Sequence, residues 1–320
     1  MGRSQGQPVA DTARGAVAAP TATANDRRPP AGRGSDSRRG VFRLLYATPA
    51  VSLLVLLVVP LLLMAALSLR EDLTGPILQP WAPTLTHYET IADTPSFVRL
   101  LGTSMVMAGI VAGVATMLAY PLAYFLRFQA GSRAGLYLFL LLLPFWTSYL
   151  LRVVAWRVML GSDGVVNSLL LGVGAIGEPL GALLYNRTAV VITLVYVWIP
   201  FAAIPILAGL QRVDPALHDA ARDLYARPLA QFVRVTLPLS MPGVLVAFFM
   251  VFIPTVGEYV TPLLVGGTSG IMYGNIVQDL FTRAANWTLG SALAIVMLVA
   301  TLALAAVALR LIDIRRFVPR

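Results

Sequence analysis

Six long stretches of the chain are almost free of charge: residues 47–69, 102–126, 134–151, 188–210, 241–265 and 289–309. The fifth alone holds an ionisable side chain, Glu258. As helices rising 1.5 Å per residue, these stretches cover roughly 27 to 38 Å, enough to cross a hydrocarbon core of about 30 Å with some tilt. The expected fold is all-α and polytopic, with six transmembrane helices and both termini on one side. A further apolar stretch at residues 165–177 is short and interrupted by Gly172 and Gly174, which fits an interfacial or re-entrant segment better than a seventh span. Residues 1–40 carry Pro, Gly, Arg and Ser without apolar periodicity and read as a disordered tail. Residues 41–320 read as one transmembrane domain. The long polar extension and the length of the first apolar run favour an uncleaved signal anchor.

The arginines orient this arrangement. The tail, the loop around Arg127 and Arg133, the loop at residues 211–240 and the C-terminus together hold 18 of the 24, and the positive-inside rule makes that face cytoplasmic. Arg152 and Arg157 fall on the opposite side, where a long cationic side chain serves either as an interfacial anchor or at a substrate entrance. Prolines recur inside the expected spans, at positions 60, 121, 144, 200, 205, 254 and 262, each removing a backbone donor and favouring a kink. Gly109 and Gly113 have the spacing that lets two helices approach closely.

Composition removes several function classes. Apolar residues make up 58% of the chain and charged residues 12%, against about 25% charged in soluble domains. Every basic residue is Arg, so there is no Lys for a P-loop or a Schiff base. There is no Cys, and His87 and His218 are too few and too far apart for a His-rich metal site. The net charge of +9 is spread between apolar runs and at the chain ends, which points to lipid headgroups and topology and away from nucleic acid. Neither catalysis nor a cofactor or nucleotide site of its own is expected of this chain.

The loop at residues 211–240 reads as two short helices. Asp214 is a natural N-cap with Pro215 at the first helical position. Leu217, Ala220, Ala221 and Leu224 recur at helical spacing, while Asp219, Arg222, Asp223 and Arg227 supply a polar side and an expected Asp223 to Arg227 pair. Pro228 should stop the first helix, and Phe232 and Val235 give the second an apolar stripe. Such a helix either docks in a groove of another protein or covers the end of its own bundle.

Asp219-Ala220-Ala221 followed by Val235-x-Leu237-Pro238 resembles the E-A-A loop of ABC importer permeases, E-A-A-x3-G-x9-I-x-L-P. Asp219 stands for Glu, Val235 for Ile, and Tyr225 for the Gly at the turn. The resemblance implies a type I ABC importer permease fold. It implies that Asp219, Ala220, Ala221, Arg222, Asp223, Leu224, Leu237 and Pro238 couple the bundle to an ATPase subunit, which binds ATP and Mg. The run from Phe252 to Pro262, together with Val265-Gly266-Gly267, Met272-x-Gly274-Asn275 and Leu143 to Leu150, resembles the spermidine/putrescine branch. That branch implies a second, paralogous permease, an extracytoplasmic substrate-binding protein and a place in the inner (cytoplasmic) membrane.

Glu258 is the remaining candidate. A carboxylate at mid-helix in a bilayer costs roughly 2.5 to 3.5 kcal/mol, so it should face a cavity or a partner. With Tyr259, Trp146 and Tyr149 it is expected to line a pathway for a cationic amine; the other reading places it near the outer end of its span, paired with an Arg. A stand-alone secondary transporter or channel would also have six kinked spans, but gives no reason for the spacing from Asp219 to Pro238.

Overall fold

The computed structural model describes residues 35–71 and 82–311. The chain divides into two units, Met1–Leu57 and Val58–Arg320. In the first, the described residues are helical and belong to α1 (Ser35–Ser68), which also carries the first apolar window, Val51–Ser68. The helix begins inside the stretch expected to be tail; residues 1–34 lie outside the described residues.

The second unit is built on three helices: α3 (Pro95–Phe128), α7 (Arg187–Gln211) and α10 (Leu237–Val256), each packed against the other two. Lipid tails are as apolar as Leu, so helices in a bilayer associate by close packing of small residues. α3 accordingly buries Ala108, Ala112, Ala115, Ala119 and Ala123 completely, one stripe at helical spacing. α7 and α10 cross where Gly209 meets Gly243. A Cβ at Gly243 would lie 3.0 Å from the Gly209 Cα, so this crossing admits no larger residue without separating the helices. The spacing at Gly109 and Gly113 has no such use among the described residues, since a Cβ at either would meet none of their atoms within 4 Å.

Shorter helices surround this core. α2 (Thr86–Asp93) packs on α3 and on α12 (Trp287–Leu311), and α11 (Tyr273–Thr282) packs on α12. α4 (Ala134–Leu142), α5 (Tyr149–Leu160) and α6 (Val165–Gly172) follow α3 in the chain. α8 (Pro215–Asp223) and α9 (Pro228–Gln231) fill the connection between α7 and α10. Among the described residues, five helical stretches are long and apolar enough to cross a bilayer, and one bent pair, counted as a single span, makes six.

That bent pair corrects the expectation of one continuous helix at 134–151. Gly131–Trp146 and Tyr149–Gly172 meet at 86°. Pro144 has no amide hydrogen to give, and Thr147 and Ser148 are extended. The span expected at 241–265 is also interrupted. α10 ends at Val256, and after Gly257, Glu258 and Tyr259 a separate helical turn leads into Pro262–Gly266. Absence of charge revealed where the apolar blocks lie, but a helix break inside such a block leaves hydropathy unchanged.

Candidate functional site

Two places concentrate the polar chemistry. The first is the connection between α7 and α10. The Asp214 carboxylate accepts from the Ala216 amide at 2.9 Å, capping α8 as expected. α8 ends at Asp223, before Pro228 is reached. The Tyr225 amide donates to Arg222 O and the Ala226 amide to Ala221 O, the paired bonds of a Schellman turn, with Tyr225 at the position usually held by Gly. Its φ is +55°, left-handed backbone that costs a side-chain-bearing residue roughly 1 kcal/mol or more. Tyr225 thus takes up the conformation that Gly would adopt, and the turn forms despite the substitution.

Because the helix stops there, the expected Asp223 to Arg227 pair does not form; Asp219 and Arg222 pair instead at 3.6 Å, both side chains well exposed. One side of α8 is tied to the bundle. His218 Nε2 lies 3.1 Å from Thr236 Oγ1, its ring packs 4.9 Å from that of Phe128, and Gln231 Nε2 donates to its carbonyl. Arg127 donates to the carbonyls of Leu210 and Val213 just before α8. Nothing in the sequence pattern marked His218 as an anchor. On the other side, Asp219, Ala220, Arg222 and Asp223 are exposed and Ala221 is half-buried. Leu224 and Tyr225 are 82% and 96% exposed. The apolar stripe therefore does not cover the end of its own bundle. Leu237 and Pro238 open α10 and are half-buried, beside the fully buried Ser240.

The second place is the break after α10. Glu258 Oε1 accepts from the amides of Val260 at 2.8 Å and Thr261 at 3.1 Å. The carboxylate caps the following turn and satisfies donors that lipid would leave bare. Asn275 Nδ2 donates to Tyr259 O at 2.8 Å while its Oδ1 accepts from Met272 N, tying the break to α11. Gly274 permits this contact, since a Cβ there would lie 2.8 Å from Glu258 O. Tyr149 reaches in from α5, its hydroxyl 2.6 Å from the buried Thr261 hydroxyl. Beside it the Arg152 guanidinium lies over the rings of Phe145 and Tyr149 at 5.5 and 5.8 Å.

Of the aromatics expected around Glu258, Tyr149 is gathered at this turn. Trp146 is 77% exposed and packs edge-on against Phe139, on the far side of the bend at residues 147–148. Tyr259 contributes its carbonyl while its side chain is 42% exposed. Glu258 does lie at a helix end, and no ion pair joins it to an Arg among the described residues. Thr261, Asn275 and Arg152 complete the site. A cleft of about 700 Å³ between α3 and α10, lined by Tyr120, Tyr124, Phe232 and Phe248 among others, lies elsewhere and has no charged group in its lining.

Apolar helices long enough to cross a bilayer, a small-residue core and one amphipathic helix left uncovered are the build of a polytopic membrane protein. The chain belongs to the family of binding-protein-dependent transport system inner membrane components, whose model matches residues 17–317. It is 32% identical over 244 residues to the spermidine/putrescine transport system permease protein PotB of Haemophilus influenzae, covering 76% of this chain and 84% of that one. To PotB of Escherichia coli K12 it is 34% identical over 214 residues, covering 67% and 77%. The fold matches the crystal structure of a bacterial ABC transporter involved in the import of the acidic polysaccharide alginate, at a TM-score of 0.66 and 17% identity, covering 89% of this chain and 98% of that one. That likeness establishes the ABC importer permease fold.

Proposed function

We propose that this chain is one permease subunit of an ATP-driven importer for a small polycationic solute of the spermidine and putrescine type. A separate ATPase, holding the ATP and Mg, drives it through α8. An extracytoplasmic binding protein delivers the solute, and a second, paralogous permease completes the path. In this reading the chain ends and the α8 loop face the cytoplasm, in keeping with the arginine distribution. The observation that carries the reading is the uncovered face of α8, where Ala220, Leu224 and Tyr225 stand exposed on a helix tied down from behind by His218. A helix tied from behind with this face free transmits a push from a partner's groove into α10.

The polyamine assignment draws on the named substrates of the PotB relatives and on the carboxylate at the break, which lines the path in this account. An ammonium group is attracted by a carboxylate and by the face of a tyrosine ring, here Glu258 and Tyr149. Two experiments test the proposal. Purification of the solubilised chain from its native membrane should co-elute a P-loop ATPase, and the reconstituted assembly should take up labelled spermidine or putrescine when ATP is supplied. Isolation without an ATPase, or uptake independent of ATP, would favour a secondary transporter.

A further inference from the structure

Arg152 is only 8% exposed, its Nε is buried without a hydrogen-bond partner, and no ion pair holds it among the described residues. An isolated buried cation is costly, and such a side chain persists where something else answers its charge. What surrounds it is informative. The guanidinium rests over Phe145 and Tyr149, the Tyr149 hydroxyl contacts Thr261, and the Thr261 amide donates to Glu258. Tyr149 therefore stands between the two charges, its ring under the guanidinium and its hydroxyl on the residue whose amide the carboxylate holds. A cation is thus already seated on the tyrosine face of the region where an amine substrate would be attracted.

We propose that Arg152 is the resting counter-charge of Glu258, keeping the empty path neutral until a substrate ammonium takes its place over Tyr149. This rests on the reading that Glu258 lines the path, and goes beyond it by assigning a second charged residue and the exchange between them. Without Arg152 the site is left with one uncompensated negative charge and grips a cation too firmly to release it. Without Glu258 the site carries an uncompensated positive charge and repels one.

The charge balance is tested by a double-mutant cycle in the complete reconstituted transporter, using labelled spermidine and normalising uptake to inserted protein and to ATPase rate. E258Q should lower uptake about tenfold, the size expected for losing the attraction between two partly hydrated charges. R152Q should lower both the half-saturating concentration and the maximal rate, whereas R152K, which keeps the charge, should shift the half-saturating concentration less. The double variant E258Q with R152Q should recover to within about threefold of the parent, the two effects failing to add. If E258Q lowers uptake and the double variant stays as low or falls further, the counter-charge role is overturned while Glu258 keeps its place on the path. If R152K and R152Q shift the half-saturating concentration alike, shape rather than charge is at work and the proposal fails. If E258Q transports as the parent does, the path reading itself fails, and the counter-charge role with it.

Discussion

The α8 loop and the Glu258 turn are both polar interruptions in an apolar chain, yet they are built in opposite ways. α8 turns its charges and Ala220 outward, is tied to the bundle through His218 and ends in a Schellman turn. The Glu258 turn draws its polar groups inward, so that a carboxylate, two hydroxyls and a carboxamide satisfy one another and the unwound backbone. The two therefore tolerate change differently. An exposed face can lose its partner without losing its fold, while a satisfied buried network loses packing and function together.

The largest effect should come from Ala220→Glu. A bulky charge on the uncovered face should weaken association with the ATPase about 30-fold or more, the range of a central interface residue, and leave membrane insertion unchanged, as co-purification and a protease-protection assay would show. Next comes Glu258→Gln, which keeps an acceptor oxygen for the Val260 and Thr261 amides while removing the charge. ATP-driven uptake should fall about tenfold with little change in thermal stability. Glu258→Ala, which also removes the cap, should lower stability by a further ~1 kcal/mol. Equal melting temperatures for the two would show that the cap contributes little.

His218→Ala should have a smaller effect, costing about 1 kcal/mol of local stability and showing as faster amide exchange in residues 215–223. The smallest effect should be Tyr225→Gly. Relief of the left-handed strain should stabilise the turn by up to about 1 kcal/mol, read as slower exchange of the backbone amides at positions 225 and 226. Faster exchange would mean that the phenol is itself holding the turn.

The two regions also differ in how much the sequence disclosed. The α8 loop lies in one contiguous stretch, so Asp214, Ala220, Ala221 and Pro238 announce themselves by spacing, and the positions of the apolar spans follow from length and lack of charge. The Glu258 site is assembled across the fold. Tyr149 and Thr261 are 112 residues apart in the chain, and periodicity carries no information at that range. The two helix breaks were hidden for a related reason: Pro144 and Pro262 resemble the prolines at 200, 205 and 242, which sit inside unbroken helices. What separates the cases is whether neighbouring groups such as Glu258 and Asn275 satisfy the freed backbone, and only the packed structure reveals that. The misplaced Asp223 to Arg227 pair has a local cause, since the αL turn at Tyr225 ends the helix before position 227.

In the proposed function, motion enters this bundle through the exposed face of α8. The chain has no cysteine of its own, so Ala220→Cys makes that face uniquely addressable. In native membranes a short bifunctional thiol reagent should link this position to the ATPase, and a membrane-impermeant maleimide should reach it only after the cells are opened. Labelling from outside intact cells, with no link to an ATPase, would contradict the account.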